Sequence, residues 1–438
     1  MKIFTSIGLI AIAVLLSIAT FSYAKFTIDP SLTVREQYND NIFLTQTDKA
    51  DDFITIISPD ITLGYSPNSS LDISLGYGFD FRFYSNNSDL NDTSFKDTQH
   101  ADFRAQARPW NLVFIDVTDT YRRVPLDVRE KFARDNDFEN MTESNVFMIS
   151  PYLDVPIMPT LSLRMGYSFT DEWYDEDTGN NSDSHSAFLS FDKKFPVGLN
   201  TSIGYTYLAY RPELSDDYDK NEVFLSAEYQ IASNFRVWGG AGIAYLDFSN
   251  RSNEDETIWN VGSEYYMGIL GGTTLSVTYS ESLSNTDTSD YSDTNGTTDR
   301  ETDLFSERES ITTGVTKEKR FDFILSSGQF LEVTINPYYT ESEELETDRV
   351  DEITGVDVTI ERPLTAKLTA ALEGYWESQE FFPEDEEVDQ YSLGSSIEYL
   401  LSRSITTAFG YRFSKRNSNV PGDDYDNNIA WIEAKLTF

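Results

Sequence analysis

No cysteine occurs in the 438 residues, so no disulfide, thiol nucleophile or cysteine-based metal site is available, and a lipoprotein anchor has no residue to build on. Histidine is nearly absent too. His100 and His185 are the only two, which leaves little for acid–base catalysis or His-ligated metals. Cations are scarce: 33 Lys and Arg stand against 74 Asp and Glu, a net charge of −41, opposite to what a phosphate-neutralising surface needs. Nucleic acid is therefore not an expected partner. After residue 24 no apolar run reaches about 18 residues, which excludes a transmembrane helix from the rest of the chain. No phosphate-cradling glycine loop, nucleophile elbow or His/Cys metal spacing is present, so no enzymatic activity, cofactor or metal is expected.

The N-terminus carries Lys2, an apolar stretch from Ile7 to Ile18, and Ser22-Tyr23-Ala24, with small residues at the two positions a signal peptidase inspects. Residues 1–24 read as a signal peptide and 25–438 as one mature domain. The hydrophobic fraction is only 39% and the mean hydropathy −0.41, yet aromatics reach 14%, dominated by 26 Tyr and 30 Phe. That combination fits a sheet in which alternate residues face lipid and aromatic girdles mark both membrane surfaces.

Alternation is clearest in Leu71-Asp72-Ile73-Ser74-Leu75-Gly76-Tyr77-Gly78-Phe79-Asp80-Phe81-Arg82-Phe83, a run roughly twice the usual 5–6 residues of a soluble strand. Further copies run over Leu161–Phe169, Val223–Ile231, Leu331–Tyr339, Tyr391–Tyr399 and Ile405–Phe413. The chain ends on another, in which Ala430, Ile432, Ala434, Leu436 and the terminal Phe438 point one way. This ending, after a secretory leader, resembles bacterial outer-membrane β-barrels, with Ala434, Leu436 and Phe438 as the insertion signal read by the barrel-assembly machinery. With no spanning helix, a closed sheet is the spanning architecture left. The expectation is an all-β, antiparallel up-and-down transmembrane barrel in the outer membrane of a Gram-negative bacterium, in contact with outer-membrane lipids and lipopolysaccharide.

Polar connections fall at 39–52, 85–96, 123–144, 171–184, 211–221, 248–256, 283–304, 340–351, 378–389 and 416–427, with short turns such as Ser66–Ser69, Pro109–Asn111 and Leu401–Arg403 between them. Ten long loops imply about twenty strands. The count is 18–20, with 16 as the low end, because Phe321–Leu325 reads as a strand segment or an elaborated turn, and the strands near Leu32 and Ala101 have thin apolar faces. Even sixteen strands enclose a wet lumen unless plugged, and no segment is long enough for a separate plug domain.

The inward set defines the candidate lumen lining: Asp72, Asp80, Arg82, Asp102, Arg104, Arg108, Asp116, Arg122, Arg164, Glu228, Arg236, Glu373, Arg412 and Glu433, beside Asp154 and Asp192. The default reading is charge pairing that shapes a polar interior; the sharper one is a transverse field that prefers cations. The acidic runs at Asp171–Asp177, Asp287–Asp303, Glu341–Glu344 and Glu384–Glu387 read as solvated loop surface, with weak divalent-cation binding as the functional alternative. Loop 123–144 is unusual for Arg122, Arg123, Arg129, Lys131 and Arg134. It reads by default as an external mixed-charge loop, with folding into the lumen or docking to lipopolysaccharide phosphate as alternatives. His100 and His185 read as rim residues, Trp238, Tyr210, Tyr375 and Trp431 as inward aromatics, and Gly239 and Ala241 as outward small residues that meet either lipid or another subunit.

Val34–Leu44, with its Tyr38-Asn39-Asp40-Asn41 turn, then Asp51–Thr55 and Ile57-Ser58-Pro59-Asp60-Ile61, resembles the opening of outer-membrane barrels associated with exopolysaccharide and PEP-CTERM gene clusters, and Gly314–Arg320 is similar to their penultimate region. The resemblance implies a channel for exopolysaccharide or capsule export or surface assembly, with polysaccharide and periplasmic export components as partners. A general or cation-preferring diffusion porin and a non-transporting surface scaffold are the alternatives.

Overall fold

The computed structural model describes residues 25–125, 130–131, 133, 141–176, 179–268, 272–285, 315–328, 331–347, 349–383 and 385–438. The leader at 1–24 and most of 286–314, with the acidic run Asp287–Asp303, lie outside the described residues. The strands are β1 Lys25–Asn39, β2 Asp52–Asn68, β3 Leu71–Phe79, β4 Phe81–Tyr84, β5 Gln99–Trp110, β6 Val113–Pro125, β7 Met141–Met158, β8 Leu161–Tyr174, β9 Ser182–Lys194 and β10 Leu199–Pro212. They continue as β11 Tyr218–Ala232, β12 Phe235–Phe248, β13 Glu254–Met267, β14 Thr273–Asn285, β15 Val315–Ser327, β16 Glu332–Glu344, β17 Arg349–Thr365, β18 Leu368–Phe382, β19 Glu386–Ser402, β20 Ile405–Ser418 and β21 Tyr425–Thr437.

Each strand pairs antiparallel with its sequence neighbours, and β1 closes the circle against β21 from Ser31↔Thr437 to Asn39↔Ile429. The Phe438 amide adds a bond to the Pro30 carbonyl at 3.1 Å, so the chain end is stitched into the seam. β3 and β4 both pair with β2 and are halves of one stave, broken at Asp80, whose amide bonds Thr98 instead. The twenty-one segments therefore make a barrel of twenty strands, which sets aside the lower counts of sixteen and eighteen. Phe321–Leu325 is regular strand within β15.

Closure makes the two faces of every strand unequal. On β12 the outer face reads Val237, Gly239, Ala241, Ile243 and Tyr245 before turning polar at Asp247; on β20 it reads Ile405, Thr407, Phe409, Tyr411 and Phe413 before Lys415. At ~3.4 Å per residue and ~40° of tilt, such a stretch covers roughly 20–25 Å, the height of a lipid-facing apolar band. Ile243 is 62% exposed, Phe409 59% and Ile432 61%, because no protein covers them. At the edge of the band nearer the longer connections, aromatic rings keep their bodies on the outer face and bond the polar residues above: Tyr205 Oη to Asn221 (2.7 Å), Tyr411 Oη to Asn428 (2.6 Å) and Trp259 Nε1 to Glu281 (3.0 Å). An amphipathic ring is stable where one end is apolar and the other wet.

The strands run past this band, which shortens the connections expected from polarity. Asp171 and Glu172 belong to β8 and Glu341–Glu344 to β16, so the second acidic run and the start of the first are strand, while Asp175 and Glu176 follow the end of β8 and Asp177 lies outside the described residues. Polar strand residues beyond the lipid zone have each other as partners: Lys319 bonds Glu341 (2.5 Å), Lys317 bonds Glu256 (2.6 Å) and Arg211 bonds Asp219 (2.6 Å). Twenty strands spaced ~4.8 Å and tilted ~40° close a ring roughly 40 Å across. Wall side chains alone do not fill that width.

Candidate functional site in the barrel lumen

Strand register puts every sequence-selected lining charge on the inner face. Asp72, Arg104 and Asp116 lie there on neighbouring staves, with Asp72 opposite Gln106 and Gln106 opposite Asp116; Asp102 faces Gly76, and Arg122 faces Ser144. Asp80 and Arg82 flank the break between β3 and β4, and Arg108 bonds the Asn111 carbonyl at the short-turn end (2.7 Å). The arginines meet carboxylates across strands: Arg164 with Asp154 (3.2 Å), Arg236 with Glu228 (3.4 Å) and Glu264 (3.1 Å), Arg412 with Glu373 (2.9 Å), and Arg35 with Glu433 (2.8 Å). Arg35 and Arg412 both approach the Trp431 ring, each 5.6 Å from its centroid. Pairing of this kind lets a wet wall carry charge of both signs without an unbalanced field.

His100 is an inner-face residue rather than a rim residue. Its Nε2 stands 2.8 Å from Asp60 and its Nδ1 3.3 Å from Asp80, while Ser58 donates to Asp80 at 2.6 Å. These groups come from β2, β5 and the stave break, and tie them together. His185 points outward beside Tyr167 and Phe169.

At the end with the longer connections, two sets of inward contacts tie connections to other staves, and the sequence did not reveal them. At the seam, residues 40–51 turn inward. Asn41 donates to the Thr45 carbonyl (2.8 Å) and the Asp426 carbonyl (2.9 Å), Asn427 donates to Asn39 (2.6 Å), and Lys49 pairs with Asp426 (2.5 Å). Leu44 and Ala133, from the β1–β2 and β6–β7 connections, then form a buried apolar contact with Tyr425 at the start of β21, and Lys131 donates to the Gly422 carbonyl at 2.6 Å. The described part of the β6–β7 connection thus meets the seam; Arg129 and Arg134 lie outside the described residues.

Farther round the wall, inner-face Leu208, Tyr210, Tyr218, Leu246, Phe248, Ile258, Leu283 and Val315 make an apolar cluster along the staves from β10 to β15, against which Leu345 of the β16–β17 turn packs. Arg251 of the β12–β13 turn lies 3.5 Å from the Phe248 ring centroid and donates to the Leu345 carbonyl. Beside it, burial pushes the Glu346 carboxyl above the ordinary glutamate range, against the opposing pull of Arg251. In the β4–β5 connection, Lys96 donates to both Asp175 oxygens (2.9 and 2.8 Å), which holds its ammonium above the ordinary lysine range.

The short-turn end is hollow along the arc from β7 to β13. A cavity of about 580 Å³ lies there, with Arg164, Asp192, Lys194, Asn200, Trp238 and Phe224 in its wall. Of the four inward aromatics picked from alternation, Trp238 lines this space, whereas Tyr210, Tyr375 and Trp431 are buried at 1%, 9% and 9%. Alternation found the inner face. It carried no signal for which part of that face is covered by turns from elsewhere. Among the described residues no cluster of three His, Asp or Glu side chains is arranged to hold a metal ion.

The family model described as "Putative beta-barrel porin 2" matches residues 352–438. No curated protein matches the chain in sequence. Among solved structures, the chain is similar to a variant of the ferric enterobactin receptor PfeA from Pseudomonas aeruginosa, at 10% identity and a TM-score of 0.53, over 95% of this chain and 81% of the receptor. A second variant of the same receptor gives 10% identity and a TM-score of 0.52 over 94% and 80%. The copper transporter OprC gives 9% identity and a TM-score of 0.48 over 96% and 81%. At such identities the likeness is one of fold, that of large outer-membrane β-barrels.

Proposed function

We propose that this chain is an outer-membrane channel for polar solutes, closed at rest at its long-connection end and engaged in exopolysaccharide or capsule export or surface assembly. The short turns face the periplasm and the longer connections the outside, as in outer-membrane barrels generally. The observation that carries the channel reading is the lumen itself: Arg–carboxylate pairs on the inner wall and a cavity at the short-turn end, under a half narrowed by connections that turn inward and tie to other staves. A scaffold needs no wet interior, and a general diffusion porin keeps a standing aqueous path. The two ties favour a channel opened by its cargo or partner. The polysaccharide assignment draws support from the resemblance at Val34–Ile61 and from the uncharged polar and aromatic groups of the hollow half.

Planar-bilayer recording tests the channel reading. The unmodified protein is expected to conduct little, and joint replacement Leu44→Asp with Lys131→Ala to raise mean conductance several-fold. Equal, porin-like conductance of both proteins contradicts a closed resting state. Deletion of the gene in its host tests the assignment of cargo: undiminished surface polysaccharide removes it while leaving the channel reading intact.

A further inference from the structure

The hollow short-turn half holds a feature that a mere aqueous passage does not require: two aromatic rings tiled flat on the wall. A Cβ built on Gly262 would lie 2.3 Å from the Trp238 indole, so the ring occupies the space that a side chain on β13 would otherwise take. On the neighbouring strand pair the Phe224 ring covers Gly240 and Gly242 in the same manner, at 2.4 and 2.7 Å. Glycines at these positions let the rings lie along the wall instead of projecting into the lumen. Both rings line the cavity; the Arg236 guanidinium lies over Trp238, 5.3 Å from its centroid, and Phe224 also packs against the apolar cluster above.

Polar groups surround these rings, and several are unspent. Among the described residues the Lys194 ammonium makes no ion pair, the Asp192 carboxylate accepts only a weak bond from the Ser190 hydroxyl (3.3 Å), and the Trp238 Nε1–H has no acceptor. Asn200 sits beside them and donates weakly to Glu228 (3.3 Å). The wall is close to electroneutral in a chain of net charge −41: Asp154 is matched by Arg164, Arg236 is shared by Glu228 and Glu264, and Asp192 faces the same space as Lys194. A phosphorylated or multiply anionic ligand needs surplus cations, and a lipid needs a continuous apolar wall. A pyranose needs neither. Its ring C–H groups form an apolar face that stacks on an indole, and its vicinal hydroxyls both donate and accept, matching a carboxylate, an amide and an ammonium set around that platform.

We infer that the Trp238–Phe224 platform, with Asp192, Lys194 and Asn200, is a subsite for neutral pyranose units of an oligosaccharide. The inference rests on the channel reading only for its biological setting, because equilibrium binding needs no open pore. Binding of maltohexaose, cellohexaose and hexagalacturonate to the full-length protein in detergent is measured by titration calorimetry. At least one neutral hexasaccharide is expected to bind, and to bind more tightly than hexagalacturonate. Trp238→Ala is expected to weaken binding about tenfold and Asp192→Asn about threefold, both proteins retaining the heat-modifiable gel shift of a folded barrel. Absence of binding to both neutral hexasaccharides, binding untouched by either substitution, or preference for hexagalacturonate overturns the subsite. Binding without conductance in any variant sinks the channel reading alone; conductance without binding sinks the subsite alone.

Discussion

Arg416 is among the most enclosed cations of the barrel, with a side chain 1% exposed between Asp423 (2.8 Å) and Glu386 (3.5 Å). A guanidinium so placed is worth less as attraction than its loss costs, because removal strands two carboxylates out of water. Arg416→Met is therefore expected to destabilise the folded barrel by about 3 kcal/mol, read as a lower urea midpoint for unfolding in detergent. Glu346 behaves differently. Its folded-state affinity for a proton is raised chiefly by burial, so the stability it lends is present below the unfolded value and lost as pH rises through the folded one. Conductance is expected to increase as pH is raised from about 4 upward, and Glu346→Gln to flatten that dependence. A wild-type profile that falls over this range contradicts the assignment of Glu346 to the tie.

At the scale of a strand, the two faces predict opposite outcomes for neighbouring substitutions. On β21, Ile432 is 61% exposed on the lipid face, while Glu433 faces the lumen and pairs with Arg35. Ile432→Arg is expected to cost about 2–4 kcal/mol of stability in liposomes, the range for a cation near the middle of the lipid face, and Lys435→Ala, at an exposed position on the lumen face of the same strand, close to nothing. Equal costs would mean that β21 is not the lipid-facing closing strand. The same logic accounts for the connections. Polarity alone placed 171–184 and 340–351 in loops, but β8 and β16 carry hydrogen-bonded ladders into them as far as Tyr174 and Glu344. Sheet pairing satisfies backbone groups in water as it does in lipid, so nothing forces the strand to stop at the membrane surface.

For the whole molecule, closure depends on β1 meeting β21, and the chain end contributes both a ladder bond and an exposed aromatic: Phe438 is 77% exposed and its amide reaches Pro30. Removal of Phe438 is expected to lower the yield of folded, heat-modifiable barrel in the outer membrane without altering the properties of the molecules that do assemble. Channel size is the complementary whole-molecule observable. A ring roughly 40 Å across passes large sugars once untied, so liposomes holding the Leu44→Asp, Lys131→Ala protein are expected to swell in oligosaccharides that the unmodified protein excludes.

The sequence by itself determined the architecture, because alternation has a period of two that is set by backbone geometry and needs no knowledge of neighbours. Leu71–Phe83 announced a spanning stave, and ten polar intervals pointed to 18–20 strands, with 16 still open, of which the closed sheet realises twenty. Local pattern also set the inner and outer sides of Trp431 and Ile432. Only the tertiary structure decided what happens across the lumen. Leu44 and Ala133 come from two connections and meet Tyr425 at the start of β21, and Arg251 meets Leu345 from another turn; no periodicity encodes such meetings. The glycines under Trp238 and Phe224 show the same limit. Gly240 and Gly262 read as weak points of two strands until the register of the closed sheet lays a neighbour's ring over each. One-strand periodicity specifies a face, whereas occlusion and binding arise from contacts between strands, which exist only once the sheet has closed.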